Sequence, residues 1–209
     1  MTKMNKMANK LFNKVILDAD ICIKLSKISK LSALIRVLSQ ITDEVYIHEY
    51  VDNQEILSDR DQLNELIKTE TVKVIYPETY FTDRLTIETY KAVFEELYEE
   101  IIGDEDIKKR PKHLGEVYSL ALAKVLQIPV FMCDEFDMQD TINRTLNTGI
   151  DDIIAFRLRD LILWMKNNSV GFTRKEARVI YCRVEEDETN REKKIKERKK
   201  WFDSNWNLI

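Results

Sequence analysis

The stretch "VILDADICIKLSKI", residues 15–28, decides the fold. Val15, Ile16 and Leu17 form a continuous apolar run with no alternation, the pattern of a short strand buried on both faces. The run stops at two acids, Asp18 and Asp20. Beyond them Ile21, Leu25, Ile28, Leu31 and Ile35 recur at helical spacing with lysines between, so a helix follows, and Ser29 or Ser32 marks a break into two shorter ones.

The same alternation continues outward. "EVYIHEYV" (44–51) reads as a second strand, "NQEILSDRDQLNELIKTE" (53–70) as a helix, and "TVKVIYPE" (71–78) as a strand stopped by Pro77. From 78 to 113 runs a highly charged segment whose Ile87, Tyr90, Val93, Phe94, Leu97, Tyr98 and Ile101 predict an inserted amphipathic helix. "LALAKVL" (120–126) is apolar on nearly every side, with Lys124 its one charge, and predicts a buried helix that leads into the strand "IPVFMCDE" (128–135). "FDMQDTINRTLN" (136–147) and "IIAFRLRDLILWMKN" (153–167) read as helices, with Asp151 and Asp152 capping the second. Strands alternating with helices imply an α/β fold with right-handed crossovers: a three-layer α/β/α sandwich around a central parallel sheet.

Composition narrows the class. The 209-residue chain is 44% hydrophobic and 33% charged with only 4 Gly and 3 Pro, which fits a folded, helix-rich protein with one main domain. A formal charge of −4 argues against tight nonspecific nucleic-acid binding, although 33 Lys and Arg leave room for local basic patches. Cys22, Cys133 and Cys182 form an odd, scattered set beside only two histidines, so neither a zinc centre nor a disulfide framework is indicated, and the cysteines read as core fillers. The basic N-terminal segment lacks a signal peptide's apolar run and no stretch has the length of a membrane span, so the expected location is cytoplasmic.

In a parallel sheet the carboxyl ends of the strands share one edge, and loops there build ligand sites. Asp18 and Asp134 both end apolar strands, so they are expected at that edge together. Asp20 lies two positions beyond the first, Glu55 early in the next helix, and Glu116 at the start of the buried one. Converging carboxylates repel and rise in pKa unless cations compensate, and an all-oxygen donor set suits a hard divalent ion. Such an ion points to phosphodiester hydrolysis.

At these residues "VILDADICIKL", "QEIL" and "GEVYSLALAKVLQIPVFMCDE" resemble the PIN-domain nucleases, small α/β ribonucleases with an acidic metal site. The resemblance spans roughly residues 14 to 165. It implies a PIN-like nuclease domain over 14–168, with 78–113 as a helical insertion and 169–209 as a charged, helical C-terminal extension. It further implies Asp18, Glu55, Glu116 and Asp134 as the catalytic acids holding Mg²⁺ or Mn²⁺, RNA as substrate, and cleavage to a 5′-phosphate and 3′-hydroxyl. Many members are toxins of toxin–antitoxin pairs, so an antitoxin protein and a homodimer are the implied partners. Asp20 stands where the family carries Asn, Ser or Thr, which adds a fifth metal-ligand candidate. Glu49 and Asp52 compete with Glu55 for the second acid.

Plainer readings stand beside these. Taken singly, Asp18 and Asp20 read first as N-caps of the helix that follows, Asp134 as a cap of the next one, and Glu116 as a first-turn residue favoured by the helix dipole. His48 and His113 are too far apart for a catalytic triad and read as structural. Arg144 is a phosphate-contact candidate or an ordinary exposed helix residue. The run "REKKIKERKK" (191–200) reads as an RNA-tracking strip or a solvated helix face, and Trp201, Phe202 and Trp206 stack on bases or dock onto their own domain. Two rivals of other classes remain: a non-catalytic PIN-like module that binds RNA or protein, and a phospho-acceptor signalling domain. The second needs an Asp and a Lys at the ends of central strands, which "VYIHEY" and "VKVIYPE" do not supply.

Overall fold

A computed structural model describes residues 10–103, 111–135, 137–149, 151–168, 171–183 and 190–206. Five parallel strands form one sheet in the order β3-β2-β1-β4-β5: β1 Phe12–Leu17, β2 Thr42–His48, β3 Val72–Ile75, β4 Val130–Cys133 and β5 Ile154–Arg157. The helices are α1 Ala19–Ser26, α2 Ala33–Ile41, α3 Asp61–Lys68, α4 Pro77–Tyr80, α5 Arg84–Ile101, α6 Leu114–Val125, α7 Met138–Thr145, α8 Leu158–Asn168, α9 Arg174–Tyr181 and α10 Arg191–Trp206. The expected three-layer α/β/α sandwich is what the chain forms.

Alternate side chains of each strand feed two cores. Val15 and Leu17, Val45 and Ile47, and Val130 and Met132 point into the core under α1, α2, α3, α8, α9 and α10. Ile16, Tyr46, Phe131 and Cys133 point into the other, under α5, α6 and α7. Both faces are therefore apolar, which is why β1 shows no alternation in sequence. β1 holds the centre, pairing with β2 through Val15↔Val45 and with β4 through Ile16↔Phe131 and Leu17↔Met132.

Three local expectations are corrected. The helix expected over 53–70 is interrupted: a π-helical turn, Val51–Glu55, is followed by a loop in which Asp59 has φ 55°, and only Asp61–Lys68 is α-helical. Ile154–Arg157, expected to lie in the first turn of a helix over 153–167, is the edge strand β5, paired through Phe131↔Ala155 and Met132↔Phe156. A four-residue apolar run fits a buried strand or a helix turn equally, and here the open edge of β4 decides. Asp151 and Asp152 precede that strand and cap nothing helical.

The break at Ser29 and Ser32 is real, with a 3₁₀ turn Ser29–Leu31 and Ser32 left-handed at φ 45°. α5 packs on α6 through Phe94 and Tyr118, whose ring centroids lie 4.6 Å apart, so the charged segment contributes a helix to the second layer. Arg144 pairs with Glu100 of that helix at 2.9 Å. The tail docks onto its own domain: Phe202 is fully buried, Trp201 packs on Tyr181 at 4.6 Å, and Asp203 pairs with Arg178 at 3.0 Å. Cys22 and Cys133 are buried free thiols and Cys182 is half-buried. Among the described residues no helix is long and apolar enough to cross a membrane.

Candidate metal centre

The site begins where β1 ends. The Asp18 amide still donates to the Met132 carbonyl at 2.9 Å, so the sheet delivers Asp18 to its carboxyl edge beside β4. Asp18 occupies the N-cap position of α1 with extended backbone (φ −80°, ψ 155°), yet its side chain makes no capping bond to the helix's inner amides. It is 3% exposed, and among the described residues no Lys or Arg pairs with it. Burial, then the charges of Glu116, Asp20 and Glu55, hold its carboxyl well above the usual range, opposed by a hydrogen bond from the Ala19 amide.

A cavity of about 410 Å³ opens in front of it, lined by Asp18, Asp20, Glu55, His113, Glu116 and Glu135 among others. Glu116 stands in the first turn of α6, where a carboxylate is favoured by the helix dipole. His113, left-handed at φ 66° just before that helix, contacts Glu116 Oε1 through Nδ1 at 2.9 Å. His113, Glu116 and Glu135 each offer a ligand atom, and the three lie within 4.8 Å of one another. Glu55 ends the π-helical turn, and its carboxylate lies so close over Gly115 that a β-carbon there would fall on it. Glycine at 115 thus leaves the Glu55 carboxylate its place, and a side chain there would displace it.

Of the three contenders for the second acid, Glu55 is the one at the cavity. Asp52 is buried against Arg60 at 2.5 Å. Glu49, raised by burial and by Glu78, neighbours the aromatic group of Tyr90 and Tyr118.

Asp134 is placed differently from the other four. Its carboxylate accepts from Lys24 at 3.0 Å and from Arg198 at 2.6 Å, and it faces a second cavity, of about 330 Å³, between β4, β5 and α10. Lys24 also reaches Asp20, one helical turn back, at 3.1 Å. Burial acts to lower the Lys24 ammonium, but Asp134 and Asp20 outweigh it and the net direction is upward. Part of the acid set therefore carries its own cations. Asp20 and Glu135 line both cavities and form the wall between them.

Lys24, His113, Glu135 and Arg198 escaped sequence reasoning. Two had a usable signal: Lys24 follows Asp20 at i+4, and His113 precedes Glu116 by three residues. Comparison of the chain with protein-family models, curated proteins and solved structures found no match. The fold and site define a three-layer α/β/α protein with an acidic pocket at the carboxyl edge of its central strands.

Proposed function

We propose that the chain is a metal-dependent endoribonuclease of the PIN type, with Asp18, Glu55, Glu116 and Glu135 around the ion and Asp20 at the rim. The observation that carries this reading is Asp18: a buried carboxyl facing a cavity, raised by the neighbouring charges of Glu116, Asp20 and Glu55 and itself paired with no Lys or Arg among the described residues, although Lys112 also lines the cavity and Lys24 pairs with Asp20. A carboxylate so placed is an energetic liability in the bare protein, and a divalent cation relieves it. The donors fit Mg²⁺ or Mn²⁺, and His113 adds a nitrogen that Mn²⁺ accepts more readily than Mg²⁺. When bound, the ion supplies Lewis-acid polarisation of the phosphate and lowers the pKa of water.

The residues themselves define the rest. Glu116 is oriented by His113, and Gly115 admits the Glu55 carboxylate into the pocket. The open cavity admits a phosphodiester at the same edge. In the hydrolysis a water oxygen bonds to phosphorus as the P–O3′ bond breaks, leaving a 5′-phosphate and a 3′-hydroxyl.

The test is a Mn²⁺ and Mg²⁺ titration of wild type and Asp18→Asn, following thermal shift and cleavage of a mixed RNA pool in the same samples. Asp18→Asn is expected to melt higher than wild type in EDTA, and to lose both the metal-induced shift and the cleavage. Cleavage undiminished in the variant would refute the assignment. A second reading, a PIN-like module that binds without cutting, draws on one observation: Lys24 and Arg198 already neutralise Asp134, leaving the implied acid set one short. Metal-induced stabilisation without cleavage would favour it.

A further inference from the structure

We propose that the cavity in front of Asp18 also seats a nucleobase: Leu57 and Ile23 form an apolar platform for its face, and Lys112 contacts the phosphate that the same nucleotide brings to the acids. The identity of the ligand as a nucleotide of RNA rests on the nuclease reading, whereas the platform rests on its own geometry. The cavity is not uniformly acidic. Leu57, Ile23 and Ala19 line it together with the carboxylates, so one opening presents both charged and apolar side chains.

Leu57 is 73% exposed, yet the chain that carries it is held firmly. The Ile56 amide donates to the Val51 carbonyl at 3.0 Å, and the Leu57 amide to the Glu55 carbonyl at 3.1 Å, closing an inverse γ-turn about Ile56 (φ −88°, ψ 75°). Arg60 donates to the Asp52 and Ile56 carbonyls, each at 2.7 Å, and pairs with the Asp52 carboxylate. Ile56 enters the core while its neighbour Leu57 stays at the cavity. A lone exposed leucine is ordinary on a protein surface. Leu57 differs in following Glu55 on the turn that delivers that carboxylate, and in sharing the cavity with Ile23, a half-buried residue of α1 one helical turn beyond Ala19.

Lys112 is exposed and lines the same cavity, one residue before His113. Asp18, Asp20, Glu55, Glu116 and Glu135 line it as well, and among the described residues Lys112 is paired with none of them. Its ammonium is therefore available to an incoming anion. Inorganic phosphate or a small carboxylate satisfies Lys112 but leaves the apolar side chains uncovered. A nucleotide answers both: its phosphate meets the ion and Lys112, and its base has a flat face that packs against apolar side chains. Aliphatic side chains offer no hydrogen bond, so the platform ranks bases by the area they bury, purines above pyrimidines. Seating the base aligns the phosphate attached to it, which is how binding away from the reacting atoms contributes to rate.

The test uses the full chain in Mn²⁺, with 5′-AMP, 5′-UMP, ribose 5-phosphate and inorganic phosphate as probes and isothermal titration calorimetry as the readout. The variants are Leu57→Ser, Leu57→Met, Lys112→Ala and, as a distant control, Leu85→Ser on α5, where the leucine is 74% exposed. Wild type should bind 5′-AMP more tightly than 5′-UMP, and both more tightly than ribose 5-phosphate. Leu57→Ser should cut the ratio of 5′-AMP to ribose 5-phosphate affinity by roughly fivefold, the worth of burying about half a leucine side chain, and leave ribose 5-phosphate binding unchanged. Leu57→Met should keep the ratio. Lys112→Ala should weaken all the probes by a common factor of roughly threefold, as expected for one exposed charge contact. Leu85→Ser should match wild type, and all the variants should keep the wild-type melting temperature in EDTA.

Equal affinity for 5′-AMP and ribose 5-phosphate in wild type, or a ratio that survives Leu57→Ser, overturns the platform. Phosphate binding untouched by Lys112→Ala overturns the phosphate contact. The Mn²⁺-induced thermal shift of the same samples without nucleotide separates this inference from the nuclease reading. A shift with no base preference removes only the platform. A base preference that Leu57→Ser abolishes, with neither a Mn²⁺ shift nor RNA cleavage in wild type, removes only the metal-dependent nuclease.

Discussion

His48 gives the sharpest quantitative expectation. It ends β2, is 2% exposed, and is stacked on Tyr118 of α6 at 4.7 Å. Its Nδ1 accepts the Tyr50 amide at 2.9 Å, so the neutral ring carries its proton on Nε2 and donates it to the Tyr90 hydroxyl at 2.8 Å. Burial pushes its pKa from 6.5 to about 4, and a second proton would also set N–H against the Tyr50 N–H. The folded state therefore binds this proton more weakly than the unfolded chain. The resulting stability is fully present above pH 6.5 and is lost as pH falls from 6.5 to about 4. At about 1.4 kcal/mol per pKa unit, a change from 6.5 to about 4 amounts to about 3 kcal/mol, of the order of ten degrees in melting temperature for a chain this size. Urea unfolding of wild type and His48→Gln between pH 7 and pH 4 isolates the effect, because the carboxylates common to both cancel in the difference. Wild type should lose about 3 kcal/mol more than the variant over that range. Parallel curves would refute the assignment of His48 as a neutral clamp between β2, α5 and α6.

Two further substitutions probe the site and its support. Gly115→Ala drives a methyl group into the Glu55 carboxylate, the mobile end of a side chain, so stability should change by only about 1 kcal/mol while most of the Mn²⁺-induced thermal shift disappears; an intact shift would show that Glu55 is not needed. Phe202→Ala empties a fully buried site under α10 and should cost about 3–5 kcal/mol in urea unfolding, whereas a loss below about 1 kcal/mol would mean that the tail does not anchor as described.

What the residues announce in order along the chain, and what they do not, follows from distance and from length. β1 and the two short helices after it are set by local pattern, and Asp18 marks the end of the core because the apolar run ends there. β5 is too short for its period to show, and only the edge of β4 makes it a strand. Asp134 and Glu135 are adjacent acids after one strand. Which of them faces the cavity before Asp18 depends on how the chain leaves β4 and on where Lys24 and Arg198 sit, and those partners lie 110 and 64 residues away. The expectation that the acids converge without cations failed for Asp134 for the same reason, whereas for Asp20 the partner Lys24 stands only four residues on, one helical turn away. The aromatic tail allowed two readings because a buried Phe202 and an exposed one have the same local sequence.

β1 is made early, but one of its two neighbours is made late. During synthesis Val15–Leu17 can pair with β2 at once, yet the edge that faces β4 has no partner until Val130–Cys133 has been added. An apolar strand edge left open for that interval is a template for pairing with another nascent chain. The same delay keeps Asp18 apart from Glu135, so the pocket is complete only after the chain through residue 135 has left the ribosome.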